Sequence, residues 1–408
     1  MSRVVVLVAG ARFLSGTGTQ AAFIVGVWGK AAFEFEVTAG RLAILMAALG
    51  LAWFLGSAVA GSYVDRQGPR RVFVAAEILV AVGALVMITA SSFTQLVVLA
   101  ALVELVSAAS YNAIITTPPF LVVGYLPLRR ANVTFETAGQ LATIAGAAAG
   151  ALVARLAGLD WVFVLQAVAS LMAAGLFWVT RLDTSPRSRE TQPMMDGLRF
   201  VYSTRSVRFL ILLPGLLWMS FSVFETLAPL FFRDVIGTEA DALGWIGMVF
   251  GIGLVFGSMA VIRLPQALVS ATGLAAIISA SGVVSLVFVA TGSLTVVAVG
   301  AVLWGFVFGM LEPVLRMLLH TVTPRRILGR VNSTAETHDE LAALIPLAFV
   351  PLLASAFGVQ VVLIANGVLL AMFAALTLPH AVSLGRNEVG MPRGPIAEDL
   401  GENSETTG

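Results

Sequence analysis

Residues 42–61 read LAILMAALGLAWFLGSAVAG, and residues 295–315 read TVVAVGAVLWGFVFGMLEPVL. The first stretch carries no charge, and the second carries only Glu312. At about 1.5 Å of rise per residue, about twenty helical residues cross a hydrocarbon core of roughly 30 Å. A barrel strand would show about ten residues of alternating polarity, and neither stretch alternates. Similar blocks recur along the 408 residues, 58% of which are hydrophobic and only 12% charged. Mean hydropathy is +0.95, whereas a soluble domain carries about one-quarter charged residues. The expected fold class is an all-α membrane protein.

Breaks at charged and Pro/Gly-rich positions predict twelve transmembrane helices near 4–29, 41–64, 72–91, 95–118, 133–156, 160–181, 208–232, 242–263, 267–290, 294–320, 334–356 and 359–380. The polar stretch 182–207 divides them into two six-helix bundles. The expected organisation is an N-terminal bundle over 1–181, a cytoplasmic central loop with an amphipathic segment over 182–207, a C-terminal bundle over 208–380 and a disordered tail over 381–408. With the N-terminus inside, nineteen arginines fall on the cytoplasmic side, and the other side keeps Lys30, Arg41, Arg155 and Arg233. The positive-inside rule then puts both termini in the cytoplasm of a cell-membrane protein. Arg12 interrupts the first apolar run and no small-residue cleavage site follows, so that run is expected to be a span rather than a cleaved signal.

An internal echo supports the division. Positions 132–137 read NVTFET and positions 332–337 read NSTAET, so Asn132, Thr134, Glu136 and Thr137 match Asn332, Thr334, Glu336 and Thr337. The two copies are expected to open spans 5 and 11, equivalent places in a parallel repeat. Asn132 would cap span 5, and Ser333 with Glu336 has capping-box spacing. Each glutamate would then sit at the positive end of a helix dipole.

Cysteine is absent and the three histidines form no metal-spaced pair. His338 is followed by Asp339 and Glu340, but adjacent residues on a helix point in different directions, which disfavours a metal site. No phosphate-binding Gly-Lys-Ser/Thr loop, nucleophile elbow or HExxH occurs, so neither an ATP-driven pump nor an enzyme is indicated. No cofactor and no nucleic acid are expected.

Residues 61–72, GSYVDRQGPRRV, resemble the loop 2–3 signature of the major facilitator superfamily. Gly61 would permit close helix packing, Gly68 and Pro69 would turn the chain, and Asp65 would bind basic side chains or a helix N-terminus. With Arg66, Arg70 and Arg71, the element is implied to stabilise one state of a two-bundle rocker; alternatively the arginines only set topology. Residues 126–150, 196–210, 241–258 and 323–333 are similar to the macrolide-efflux and enterobactin-exporter-like branch, whose members export drugs or siderophores driven by proton influx. Three departures stand out. Gly18-Thr19 replaces a frequent Gly-Asp, span 4 carries Glu104 where many relatives have an arginine, and Gly146-Ala147 replaces Gly-Pro, with Gly150 retained. Proton coupling therefore rests on the resemblance.

The resemblance also implies that spans 1, 4, 7 and 10 line a central cavity. Each carries an ionisable residue: Arg12, Glu104, Glu225 and Glu312. Counting about 1.5 Å per residue puts Arg12 and Glu312 in the inner half, Glu104 near the midplane and Glu225 in the outer half. A carboxylate there must pair, meet water or bind a proton. Arg12 and Glu312 are expected to pair, leaving Glu104 and Glu225 for a cationic substrate or protons; the alternative bonds Glu312 to Arg316 one turn on. Trp28, Trp53, Trp218, Trp245 and Trp304 either line the pocket or pack. Glu336, Asp339 and Glu340 are candidate gate partners of Arg66, Arg70 or Arg71, with Glu136 as the first-half equivalent. The expected function is secondary export of small amphipathic cationic or neutral molecules by alternating access, coupled to proton entry, by a monomer whose partners are substrate, protons and membrane lipid. Alternatives are a dedicated siderophore or metabolite exporter, with Arg12 taking an anionic cargo, and a lipid scramblase or non-transporting sensor.

Overall fold

The computed structural model describes residues 3–121, 125–180, 195–265, 268–323 and 328–388, and all regular structure among them is helical. In the N-terminal half, span 1 runs Arg3–Ala21 and continues through π-helical turns at Ala22–Val27 and Lys30–Glu34. Spans 2 to 6 are Ala39–Gln67, Pro69–Met87, Phe93–Ile115, Tyr125–Ala157 and Leu159–Trp178. In the C-terminal half, span 7 runs Arg205–Leu230 and continues as a π-helix at Phe231–Ile236. Spans 8 to 10 are Asp241–Ala260, Ala271–Val289 and Leu294–Val322. Span 11 is Leu328–Leu344 followed by Val350–Phe357, and span 12 is Val359–Leu376.

Among the described residues, nine of these helices are long and apolar enough individually to cross a membrane, and span 11 makes a tenth as a pair bent by 41°. Spans 1 and 3 fall short because they carry polar groups: Arg3, Arg12 and Gln20 in one, Arg70, Arg71 and Glu77 in the other. Such groups survive in a span only where protein or a wet cavity surrounds them. The bend falls where the helix tightens to a 3₁₀ turn at Ile345–Ala348 and breaks at Phe349, between Pro346 and Pro351, neither of which has an N–H to give. The carbonyl of Ala343 accepts the Ser222 hydroxyl of span 7 at 2.6 Å.

Packing repeats between the halves. Spans 1–5, 1–6, 2–4, 3–4 and 3–6 pack together in the first bundle, and spans 7–11, 7–12, 8–10, 9–10 and 9–12 pack in the second. Each second pair is the first shifted by six helices. The bundles meet through spans 5–8 and 2–11, which the same shift interchanges. The echo thus falls on equivalent helices. A further equivalence was legible but missed: Gly158 (φ 99°) ends span 5 and Gly358 (φ 84°) ends span 11. Both hold a backbone conformation suited to glycine, and both turn the chain tightly into the last helix of the bundle.

Two expectations change here, the helix caps and the extent of the tail. Span 5 begins at Tyr125 and span 11 begins at Leu328, so Asn132 and position 333 lie inside helices and cap nothing. Pro127 sits in the first turn of span 5, where its missing N–H is tolerated, so the helix starts earlier than the apolar run. The central segment contains a helix, Met195–Ser203, packed against spans 7 and 11, with Val201 buried. The chain beyond 381 is helical to Glu388, and Ala381 and Leu384 are buried where that helix meets span 9. The remainder of the central loop (181–194) and of the tail (389–408) lies outside the described residues.

Candidate functional site

The helix arrangement encloses a cavity of about 920 Å³ between the bundles. Spans 1, 4, 7 and 10 line it, as implied, and spans 2, 3, 5 and 8 also contribute. Its wall holds four accessible glutamates, Glu104, Glu136, Glu225 and Glu312, against two arginines, Arg12 and Arg316, and Glu77 borders it almost fully buried. The aromatic surface comes from Phe23, Trp53, Tyr111, Trp218 and Phe308. Trp304 is instead core: it is 2% exposed and donates Nε1 to the Ser281 hydroxyl at 2.8 Å. Trp28 is also buried, and Trp245 bonds Asp241 at 3.3 Å.

The expected Arg12–Glu312 pair does not form. Arg12 donates Nε to the Phe135 carbonyl at 2.8 Å and stacks 5.1 Å from the centre of the Tyr111 ring. Phe135 belongs to the first copy of the echo, so the repeat segment holds the cavity arginine. Glu312 pairs with Arg316 at 3.1 Å, the i,i+4 alternative, because one helix turn brings them together without ordering a second helix. The two echo glutamates, Glu136 on span 5 and Glu336 on span 11, act electrostatically on the same Arg316. One cation of the second bundle therefore answers an acid from each half.

Glu104 and Glu225 come from opposite bundles and are close enough to repel one another. Both are half-buried, and neither has a hydrogen bond or ion pair with a described residue. Glu77, unmarked in the sequence reading, is a third membrane carboxylate; the signal was a lone acid inside VFVAAEILVAV at 72–82. Its oxygen Oε1 accepts the Ser15 hydroxyl at 2.7 Å and also the Ser110 hydroxyl.

Gly68 (φ 80°) makes the turn between spans 2 and 3, and Pro69 starts span 3. Arg70 donates to the Trp178 carbonyl at 2.6 Å and lies 4.8 Å from its ring, so it braces span 3 against span 6. Arg66 and Arg71 are exposed, and among the described residues neither pairs with Glu336, Asp339 or Glu340. Asp339 lies beside Trp218, and Glu340 lies beside Trp53 of the other bundle. The side chains of Gly61 and Asp65 lie outside the described residues.

We call the end where span 1 begins proximal and the other distal. The distal end is closed by bonds between the bundles. Arg233, in the π-helical end of span 7, donates to the Ala32 carbonyl in the π-helical end of span 1 at 2.6 Å. Arg155 of span 5 faces Asp241 of span 8 at 3.9 Å. The cavity reaches toward the proximal end, where Arg12, Glu136, Glu312 and Arg316 line it. Losing a charged donor is worth about 1.5–3 kcal/mol, a tenfold or larger change in population. Arg233→Ala is expected to move the protein toward a distally open state by about that factor. The chain has no cysteine, so spin labels at Thr38→Cys and Glu239→Cys can read the distance. An unchanged distance distribution would refute this latch.

Comparison with known proteins agrees with this architecture. A family model of the major facilitator superfamily matches residues 8–345. The multidrug efflux pump Tap of Mycolicibacterium fortuitum is 28% identical over 374 residues, covering 87% of this chain and 86% of that protein. Tap of Mycobacterium tuberculosis (strain ATCC 25618 / H37Rv) is 25% identical over 343 residues, covering 79% and 80%. Among solved structures, a bacterial homologue of the human lysosomal transporter Spinster, inward-facing and unoccupied, superposes with a TM-score of 0.72 at 14% identity, covering 94% of this chain and 99% of that one. The nucleoside transporter NupG gives a TM-score of 0.70 at 12% identity, covering 92% and 99%. This chain belongs to the major facilitator superfamily: it is a multi-pass membrane transporter of small molecules, not an enzyme.

Proposed function

We propose that this major facilitator chain exports amphipathic organic molecules, cationic or neutral, by rocking its two bundles about the central cavity, with proton influx as the drive. The proximal end is cytoplasmic in this reading, which makes the described state inward-open, and the protein works as a monomer in the lipid bilayer. One observation carries it: two mutually repelling carboxylates, Glu104 and Glu225, without a partner among the described residues, face a cavity walled by aromatic rings and dominated by acids. Such a site attracts a cation through charge and through ring faces. The pump names of the Tap relatives point the same way. Arg12, already held by Phe135 and Tyr111, offers little to an anionic cargo.

Flux of a fluorescent quaternary-ammonium dye into proteoliposomes, with and without an imposed pH gradient, tests the proposal. Each pH unit supplies about 1.4 kcal/mol, so coupled one-for-one exchange is expected to concentrate the dye up to about tenfold per unit. Equal flux in both conditions removes proton coupling. Lipid movement without dye flux would favour a scramblase.

A further inference from the structure

Glu77 belongs neither to the repeat nor to the Glu104–Glu225 pair, and its surroundings differ from theirs. It is 1% exposed. Both hydroxyl donors, Ser15 of span 1 and Ser110 of span 4, converge on Oε1. Oε2 is buried without a partner, and so is Oγ of Ser170 on span 6, which lies beside the carboxyl. Two orphaned oxygens therefore face the same spot in the bundle core.

The charged groups on the packed helices do not compensate Glu77. On span 1, Arg12 is committed to Phe135 and Tyr111. Span 4 offers Glu104 and the Tyr111 phenol, and span 2 carries Arg41 and Arg66 near its two ends. On span 6, Asp160 is held at the distal end by Lys30 at 2.6 Å. Among the described residues no cation pairs with Glu77. An uncompensated buried carboxylate costs several kcal/mol, and two hydroxyls repay only part of that. Turning the Ser170 hydroxyl toward Oε2 would add a bond but leave the charge. One proton on Oε2 removes the charge and converts that oxygen into a donor for Ser170, so both orphans are satisfied at once.

We infer that Glu77 is the group of the N-terminal bundle that takes up and releases the coupling proton, separately from the cargo. This rests on the proton-driven reading above. Loading transfers a proton from hydronium in the cavity to the carboxylate, leaving water and a neutral carboxylic acid; release is the reverse. The neutral acid ties spans 1, 3, 4 and 6 through three hydroxyls. After release, only cavity water can compensate the charge, and its entry displaces the Ser15 hydroxyl of span 1 from the carboxylate. Span 1 carries Arg12, Thr19 and Gln20 of the cavity wall, so release is felt where cargo sits. Glu104 and Glu225 remain open to cargo, whereas Glu77 is too enclosed to meet it.

The test compares full-length wild type with Glu77→Gln in proteoliposomes, using the quaternary-ammonium dye and pH-titrated infrared spectra. The variant is expected to lose at least about tenfold of gradient-driven accumulation while dye affinity, read by quenching of cavity tryptophans, stays within about threefold. It is also expected to lose one protonated-carboxyl band that titrates in wild type. Wild-type accumulation in Glu77→Gln, or an unchanged carboxyl spectrum, overturns the inference. If wild type itself shows no gradient-driven accumulation, the proton-driven reading falls, and the infrared titration still shows whether Glu77 exchanges a proton. If Glu77→Gln does not fold, Ser170→Ala is expected to shift the pH at which the band disappears; an unmoved band overturns the inference. A band missing at every pH, with sodium-dependent accumulation, assigns Glu77 to a metal cation and also overturns it.

Discussion

Replacing Glu104 and Glu225 together by glutamine is expected to reduce gradient-driven accumulation of a quaternary-ammonium dye by about a hundredfold. The carboxylates sit on different bundles, feel one another's charge and lack any described cationic partner. Their mutual repulsion must be relieved by a bound cation, by a proton or by water. Removing one glutamate relieves the repulsion and leaves the other as a weaker site, so each single variant is expected to retain part of the transport. The double variant loses the cation site itself, because no charge remains there to hold the cargo. The rings of Trp53, Tyr111, Trp218 and Phe308 stay in place, so an uncharged amphipathic dye is expected to bind within about threefold of wild type. Binding of the charged dye is expected to fall with the transport, in contrast to Glu77→Gln. Proteoliposome flux and tryptophan quenching read the two effects, and wild-type accumulation in the double variant would sink the assignment.

What the sequence disclosed follows from which physical signals are local. Twenty-residue apolar blocks and arginine placement are one-dimensional, so the number of spans and the six-plus-six division were readable. The echo was readable as a repeat marker, but its meaning was not. Asn132 looks like a cap only if the helix begins with the apolar run, and Tyr125–Arg130 extends the helix before it. Glu136 acts electrostatically on Arg316, on a different bundle, a juxtaposition that no spacing encodes. The Glu312–Arg316 bond, four residues apart, is a spacing the sequence shows as an alternative; Arg12 turning to a backbone carbonyl on span 5 is not. Glu77 was visible as a letter, but its significance lies in hydroxyls from spans 1, 4 and 6, which only folding brings together.

Gly257→Val and Gly305→Val are each expected to leave little monodisperse protein, a loss of about tenfold or more in folded yield. Spans 8 and 10 carry matched four-residue glycine spacings, Gly253 with Gly257 and Gly305 with Gly309. A Cβ at Gly253 would collide with the Val302 carbonyl, and one at Gly257 would collide with the Phe306 carbonyl. Reciprocally, Gly305 and Gly309 would strike the Phe250 and Leu254 carbonyls. Backbone thus lies directly on backbone across this interface. In lipid there is little hydrophobic force between helices, so such close van der Waals approach is a main source of cohesion. Overpacking usually costs about 1–3 kcal/mol because side chains give way, but a helix carbonyl cannot turn aside without breaking its own ladder. The helices must separate instead, and span 10 would carry Glu312 and Phe308 away from the cavity. Gly175 on span 6 provides the control: a Cβ there meets nothing within 4 Å, so Gly175→Val is expected to melt within about 3 °C of wild type. Fluorescence-detected size exclusion and thermal melting distinguish the sites. Equal tolerance of valine at 175 and 257 would show that the close approach of spans 8 and 10 does not hold the C-terminal bundle together.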